Sequence, residues 1–329
     1  MATGLITAFL LLWVQWAYGH PTTSVILLAQ VQVGSMLQAL SPAKLEAALT
    51  AALEVTGRYS VVPTVLRDSV VVLLQREGQV PTALAVARRL NCSALCFALA
   101  ERFVHLVRVE VALRWAPEFE EERRGVGYAL LRYVQVGSED FLYDPSLLEA
   151  TQRAVAVALG DSDLYAALDP PLRVYPAPLL AVCGIAYSEE SGLPPWQLFL
   201  QKVVTSYDAV LSAIDTARFH PRFVVLDIDT RDTIYAMGRL FEPENYNPPT
   251  LVELGLLLQM GVEYFLSGSL HRTREGAQLR MELYRIGQTR GGIVPELVCA
   301  AQSFVSEDSL QRFRKVVRHL VGQLLWQNQ

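Results

Sequence analysis

The two halves of this chain can be laid over one another, and that internal repeat restricts the fold more than any other feature. Arg58-Tyr59-Ser60-Val61-Val62 corresponds to Arg222-Phe223-Val224-Val225-Leu226, and without a gap Arg67-Asp68-Ser69 corresponds to Arg231-Asp232-Thr233, an offset of 164 residues (222 − 58). Further on, Val80-Pro81-Thr82-Ala83-Leu84 corresponds to Pro248-Pro249-Thr250-Leu251-Val252 at an offset of 168 (249 − 81), so the second copy carries a short insertion, Phe241 to Asn247. In 329 residues each copy has the length of an ordinary small domain and can bury its own core.

The order of elements repeats as well. Each copy opens on a continuous apolar run, Val25 to Val33 and Leu179 to Tyr187, as expected of a strand covered on both faces. A helix follows, with Leu45, Leu49, Ala52 and Leu53 on one face in the first copy and Phe199, Val203, Tyr207, Val210, Leu211 and Ile214 in the second. Next come a second strand (Tyr59 to Val62, Phe223 to Asp227), the Arg-Asp segment, and a helix opened by Pro81-Thr82 or Pro249-Thr250. Arg108 to Trp115 and Gln278 to Arg285 then alternate polar and apolar, the mark of antiparallel strands with one wet face. A fifth strand is predicted at Val126 to Val136 and Ile293 to Phe304, and a closing helix starts at Asp144-Pro145 and at Ser306-Glu307-Asp308. The predicted class is α/β with α+β character: two modules, residues 20–168 and 179–329, each a mixed sheet of about five strands with flanking helices. A Pro-rich, stiff connector over 169–178 joins them.

Residues 1–19 read as a signal peptide. Leu5 to Val14 is its apolar core, and Ala17-Tyr18-Gly19 puts small residues where a signal peptidase cuts, after Gly19. No Lys or Arg precedes the apolar run, so an uncleaved anchor is the alternative. Leu251 to Leu270 is too interrupted by Glu253 and Glu263 to span a membrane. Charged residues are only 19% against the roughly 25% usual in soluble domains. That shortfall implies well-covered sheets, an extensive protein interface, or both. With a net charge of −5 and no Lys/Arg stripe, nucleic acid is a poor partner. Cys92, Cys96, Cys183 and Cys299 permit buried thiols or up to two bridges, and Cys183 and Cys299 fall in strands of one module where adjacency is conceivable. Their spacing does not suit zinc.

An export signal, then strand, helix, strand, helix, a strand meander and a closing helix, resembles the amino-terminal domain of TolB. The same module occurs in the curli-secretion lipoprotein, in activators of penicillin-binding proteins and, in tandem, in the flagellar ring protein FlgT. Gly57-Arg58-Tyr59-Ser60-Val61-Val62-Pro63 and Val262 to Leu270 are similar in type to that family's strand-entry positions. The resemblance implies a bacterial envelope protein, periplasmic or secreted, that binds envelope proteins or itself and has neither catalysis nor cofactor of its own. The chain departs from the family in lacking a lipobox and any appended propeller.

The sharpest chemical alternative is Val225-Leu226-Asp227-Ile228-Asp229-Thr230-Arg231-Asp232, a strand running into carboxylates with the spacing of a Mg²⁺-dependent phosphatase nucleophile. In that reading Asp227, Asp229 and Asp232 form the site of a metal-dependent hydrolase. Against it, Arg231 stands where that family has Thr, and Pro63 and Val65 stand at the matching positions of the first copy. The pairs kept in both copies, Arg67-Asp68 and Arg231-Asp232, read as structural, each fixing a loop through a charge-assisted bond. Glu244, Asn245, Tyr246 and Asn247, in a loop inserted in one copy only, are either where a specific contact is placed or a connector held rigid by its prolines. Gly125-x-Gly127 precedes a strand and does not continue as a dinucleotide fingerprint. Glu118 to Arg124 reads as a solvated inter-strand loop or a docking loop. The sequence thus predicts an exported, non-catalytic scaffold. The alternatives are the hydrolase and a small-ligand-binding protein with its site between modules.

Overall fold

The computed structural model describes residues 23–34, 41–131, 144–161, 177–193, 202–240, 245–306 and 309–326. The predicted signal segment, most of the connector and Glu244 lie outside the described residues. The chain divides into two compact units, 1–176 and 177–329.

In the first unit the order is β1 (Ser24–Val33), α1 (Pro42–Glu54), β2 (Tyr59–Val61), α2 (Thr64–Arg76), α3 (Ala83–Arg89), β3 (Ala94–Phe103), β4 (Leu106–Trp115), β5 (Glu122–Leu130) and α4 (Asp144–Leu159). In the second it is β6 (Leu179–Glu189), α5 (Lys202–Ala217), β7 (Val224–Val225), α6 (Ile228–Met237), α7 (Leu251–Gln259), β8 (Val262–Thr273), β9 (Gly276–Thr289), β10 (Gly292–Val305) and α8 (Leu310–Trp326). The two sheets have one topology: β2-β1-β3-β4-β5 and β7-β6-β8-β9-β10. In each, the first strand is parallel to both its neighbours and the last three form an antiparallel meander. These are two mixed five-stranded α/β modules, as the repeat predicts.

β1 is buried on both faces over Ile26 to Leu28, and β6 over Leu179 to Ile185, because helices pack on both sides there. In the first module Ile26, Leu28, Cys96, Val109 and Val111 meet α1 and α4 on one face, while Leu27, Val62 and Leu95 meet α2 and α3 on the other. Four helix starts obey capping chemistry: the side chains of Ser41, Thr82, Asp227 and Thr250 accept hydrogen bonds from backbone N–H groups three residues on. The prolines of Pro81-Thr82 and Pro249-Thr250 precede the cap instead of occupying the first helical turn.

Several expectations are corrected. The Arg-Asp segments are not loops; they lie on α2 and α6. β5 begins at Glu122, earlier than predicted, because Arg114 on β4 pairs with Glu122 across the ladder and extends it. Part of the predicted strand, 132–136, lies outside the described residues. On α5 the stripe splits: Val210 and Ile214 are buried with Ala209, Ala213 and Ala217, whereas Val203, Tyr207 and Leu211 are exposed. Small residues let the helix pack closely, which rotates the large ones outward. Cys183 and Cys299 are not adjacent, since β8 and β9 stand between β6 and β10. Cys92 and Cys96 belong to opposite faces of the sheet. None of the four cysteines is in a disulfide, and burial pushes Cys92 and Cys96 up to about 12.

Gly125 and Gly127 have a packing role. A Cβ on Gly127 would lie 2.0 Å from the Ala150 carbonyl oxygen and one on Gly125 2.0 Å from that of Ala154, so α4 rests on bare β5 backbone through the stripe Ala150, Ala154, Ala158. Gly127→Val is expected to destabilise the first module by about 2 kcal/mol or more through overpacking. Urea denaturation should show the loss there, with the transition of the second module unmoved.

Candidate functional site

The end of β7 sets the geometry of the second module's most polar interior region. The chain leaves the sheet after Leu226, and the Asp227 carboxylate takes the Thr230 N–H at 2.8 Å, which starts α6. Helical spacing then places Arg231, Ile234 and Tyr235 inward. Arg231 is only 1% exposed. Its Nη1 donates to the Val182 carbonyl (2.7 Å), beside a bulge in β6. Nε and Nη2 donate to Asp232 Oδ1 (2.8 and 2.6 Å), and Nη2 also donates to Asn245 Oδ1 at 3.0 Å. Tyr235 packs against the guanidinium and shares a hydrogen bond with Cys183 Sγ at 3.5 Å. Burial raises both groups, the thiol to about 11.

Asn245 and Tyr246, singled out in the sequence as an inserted loop, form a strap on their own module. The Ile185 N–H donates to the Asn245 carbonyl (2.9 Å) and the Tyr187 N–H to the Tyr246 carbonyl (3.1 Å). The strap therefore continues the edge of β6 that β7, two residues long, leaves uncovered. Lys202 Nζ sits 3.9 Å above the Tyr246 ring. Asn247 is exposed. The insertion, Arg231 and the β6 bulge are one unit, and a buried cation holds it.

The first module keeps the Arg-Asp pair but not its surroundings. Arg67 Nε donates to Asp68 (3.0 Å), while Nη1 turns to Glu46 on α1 (3.1 Å), and the side chain is 25% exposed. There it ties two helices together.

The three aspartates do not converge. Asp227 caps a helix, Asp229 is exposed, and Asp232 is paired to Arg231. Among the described residues no group of three or more His, Cys, Asp or Glu is placed to hold a metal ion. His220 is structural: it is buried against Phe223 and Trp326, and burial lowers its pKa. A bidentate clamp that sequence reasoning missed, Arg314 Nε to both Asp208 oxygens (2.8 and 3.0 Å), joins α8 to α5. The two partners are 106 residues apart, with no local signal to link them.

The outer edges of the two sheets differ in kind. β5 carries Glu122, Arg123 and Arg124, which pair with Glu121, Arg114 and Glu110 in an ion-pair ladder that blunts the edge. The Glu118 to Arg124 run is thus a turn feeding an ordered strand. β10 is 14 residues long, has Glu296 as its one charge, and exposes Val294 (41%), Leu297 (52%), Val298 (50%) and Phe304 (49%). Pro295 and a bulge at Val298 break its regularity without charging it.

No protein-family model and no curated protein matches this chain. Solved structures do. The LpoB C-terminal domain from Salmonella enterica is similar over 40% of this chain and 84% of its own, with 14% identity and a TM-score of 0.29. PelC from Paraburkholderia phytofirmans, solved as a dodecamer, is similar over 42% and 87%, with 12% identity and a TM-score of 0.27. TolB from Acinetobacter baumannii is similar over 46% of this chain and 29% of its own, with 16% identity and a TM-score of 0.24.

Arg231→Met leaves the Val182 carbonyl and the Asn245 amide without their buried donor, and should destabilise the second module by about 3 kcal/mol. Arg67→Met, at a half-wet site, should cost below about 1 kcal/mol. Chemical denaturation of the two variants in parallel checks the difference.

Proposed function

We propose that the chain is an exported, non-catalytic scaffold that binds envelope proteins, itself included, through strand edges. The observation that carries this reading is β10: a long outer strand with a nearly uncharged, half-exposed apolar row and an edge that no strand among the described residues pairs with. An edge of that kind invites strand addition, in which main-chain hydrogen bonds supply affinity and alternate side chains supply selectivity. The exposed row Val203, Tyr207 and Leu211 on α5 adds apolar surface to the same module. Export rests on the apolar leader ending at Gly19, and an envelope location on the element order that the chain shares with TolB-type modules. No helix among the described residues is long and apolar enough to cross a membrane. Catalysis has no support in the arrangement of Asp227, Asp229 and Asp232, and no cofactor enters the reading.

A photo-crosslinking amino acid at Leu297 should trap an envelope protein or a second copy in envelope fractions of the source cells. The same probe at Val65, an exposed position on α2, should trap neither. Leu297→Lys with Val298→Lys should abolish co-purification of the trapped protein while leaving circular dichroism unchanged. Equal trapping from both positions, or capture indifferent to the lysines, defeats the reading.

A further inference from the structure

We propose that the first module carries an open seat for a turn-forming peptide segment of a partner protein, on the edge of β1 at Val31 and Val33. The argument is the comparison of the two modules position by position. The Val62 N–H donates to the Ile26 carbonyl and the Leu226 N–H to the Leu180 carbonyl, both at 2.9 Å, so β1 and β6 superpose at an offset of 154 residues (180 − 26). Each strand then has one extra residue relative to its other neighbour, between Leu28 and Gln30 and between Val182 and Ile185. The offset therefore survives the bulge, and Ile185 and Tyr187 correspond to Val31 and Val33.

In the second module those two N–H groups are taken by the carbonyls of Asn245 and Tyr246. In the first module β2 pairs with β1 only over Ser24 to Ile26, and the α2–α3 connection, residues 77–82, is shorter than the α6–α7 connection, residues 238–250. Among the described residues no segment pairs with β1 on that side beyond Ile26. The Gly34 N–H donates to the Ala100 carbonyl on β3 (2.8 Å), which fixes the parity: residues 30, 32 and 34 face β3, while Val31 and Val33 face the free edge. The Val31 and Val33 side chains pack on the module's core. On the opposite face Gln30, Gln32, Phe97, Glu110 and Arg114 line an open recess of about 270 Å³ beside the seat, roomy enough for an aromatic side chain.

The second module's own strap specifies the occupant's chemistry. It is a turn offering two successive main-chain carbonyls to one strand edge, with an amide and an aromatic side chain at those positions. This seat is separate from β10 and shares with the proposed function only the premise that strand edges are the binding elements.

The probe is a synthetic peptide with the sequence of residues 241–249, titrated into the full-length chain. Amide hydrogen exchange at Val31 and Val33 should slow on saturation. Fluorescence anisotropy should show saturable binding that Val33→Pro, which removes the N–H and suits an edge position, weakens about tenfold, the equivalent of one lost hydrogen bond. Val33→Ala, which keeps the N–H, should bind as the parent does. No binding, unchanged exchange at both amides, or equal affinities of the Pro and Ala variants would overturn the proposal. Trapping at Leu297 is read independently, so either idea can fail alone.

Discussion

Everything in this fold leans on the opening strand of each module, which sits between two parallel neighbours at its start and has only one further along. A buried strand must pair every backbone N–H and C=O, and a short second strand cannot supply partners beyond the point where the chain turns into the next helix. β2 and β7 are three and two residues long, so both modules meet the same shortage at the same place. The second module resolves it with the strap and a buried guanidinium. Arg231 is tolerated there because Val182, Asp232 and Asn245 together occupy its donors; an unpaired cation at 1% exposure would not be.

Duplication made the two copies alike in topology and left them free to differ at their edges. The first module closes its outer strand with an Arg/Glu ladder and with α4 pressed onto Gly125 and Gly127. The second leaves its outer strand apolar and open, and closes the inner one instead. Sealed and open edges are thus exchanged between copies. Among the described residues the exchange leaves an open edge of different strand polarity on each of the two units.

The fold was legible because the repeat is read twice: an ambiguous apolar run such as Val25 to Val33 gains weight from its counterpart at Leu179 to Tyr187. Helix starts were legible at Pro81-Thr82 and Pro249-Thr250, whereas the start of α6 was not, because Asp227 follows an apolar run directly and reads as the end of a strand. The orientation of α5 was not, because Val203, Tyr207 and Leu211 have the same periodicity as the buried row, and only the small residues Ala209, Ala213 and Ala217 reveal which face packs tightly. The insertion was visible as a length difference, yet its attachment to Ile185 and Tyr187 uses main-chain atoms, which leave no mark in residue type. The role of Arg231 was half legible: its pairing with Asp232 is local, whereas its bond to Val182 crosses 49 residues.

The strap also bears on how a single chain tells its own seats apart. An insertion anchored at both ends reaches its edge as an intramolecular ligand, with an effective concentration on the millimolar scale and a closure cost that grows only slowly with loop length. A free peptide of the same sequence competes poorly against it, so β6 is closed to outside segments without any repulsive group. β1 has no such competitor among the described residues. Selectivity between two strands of the same topology then follows from the length of one connection, and a partner need recognise nothing in β1 beyond two donors and the recess at Gln30 and Gln32.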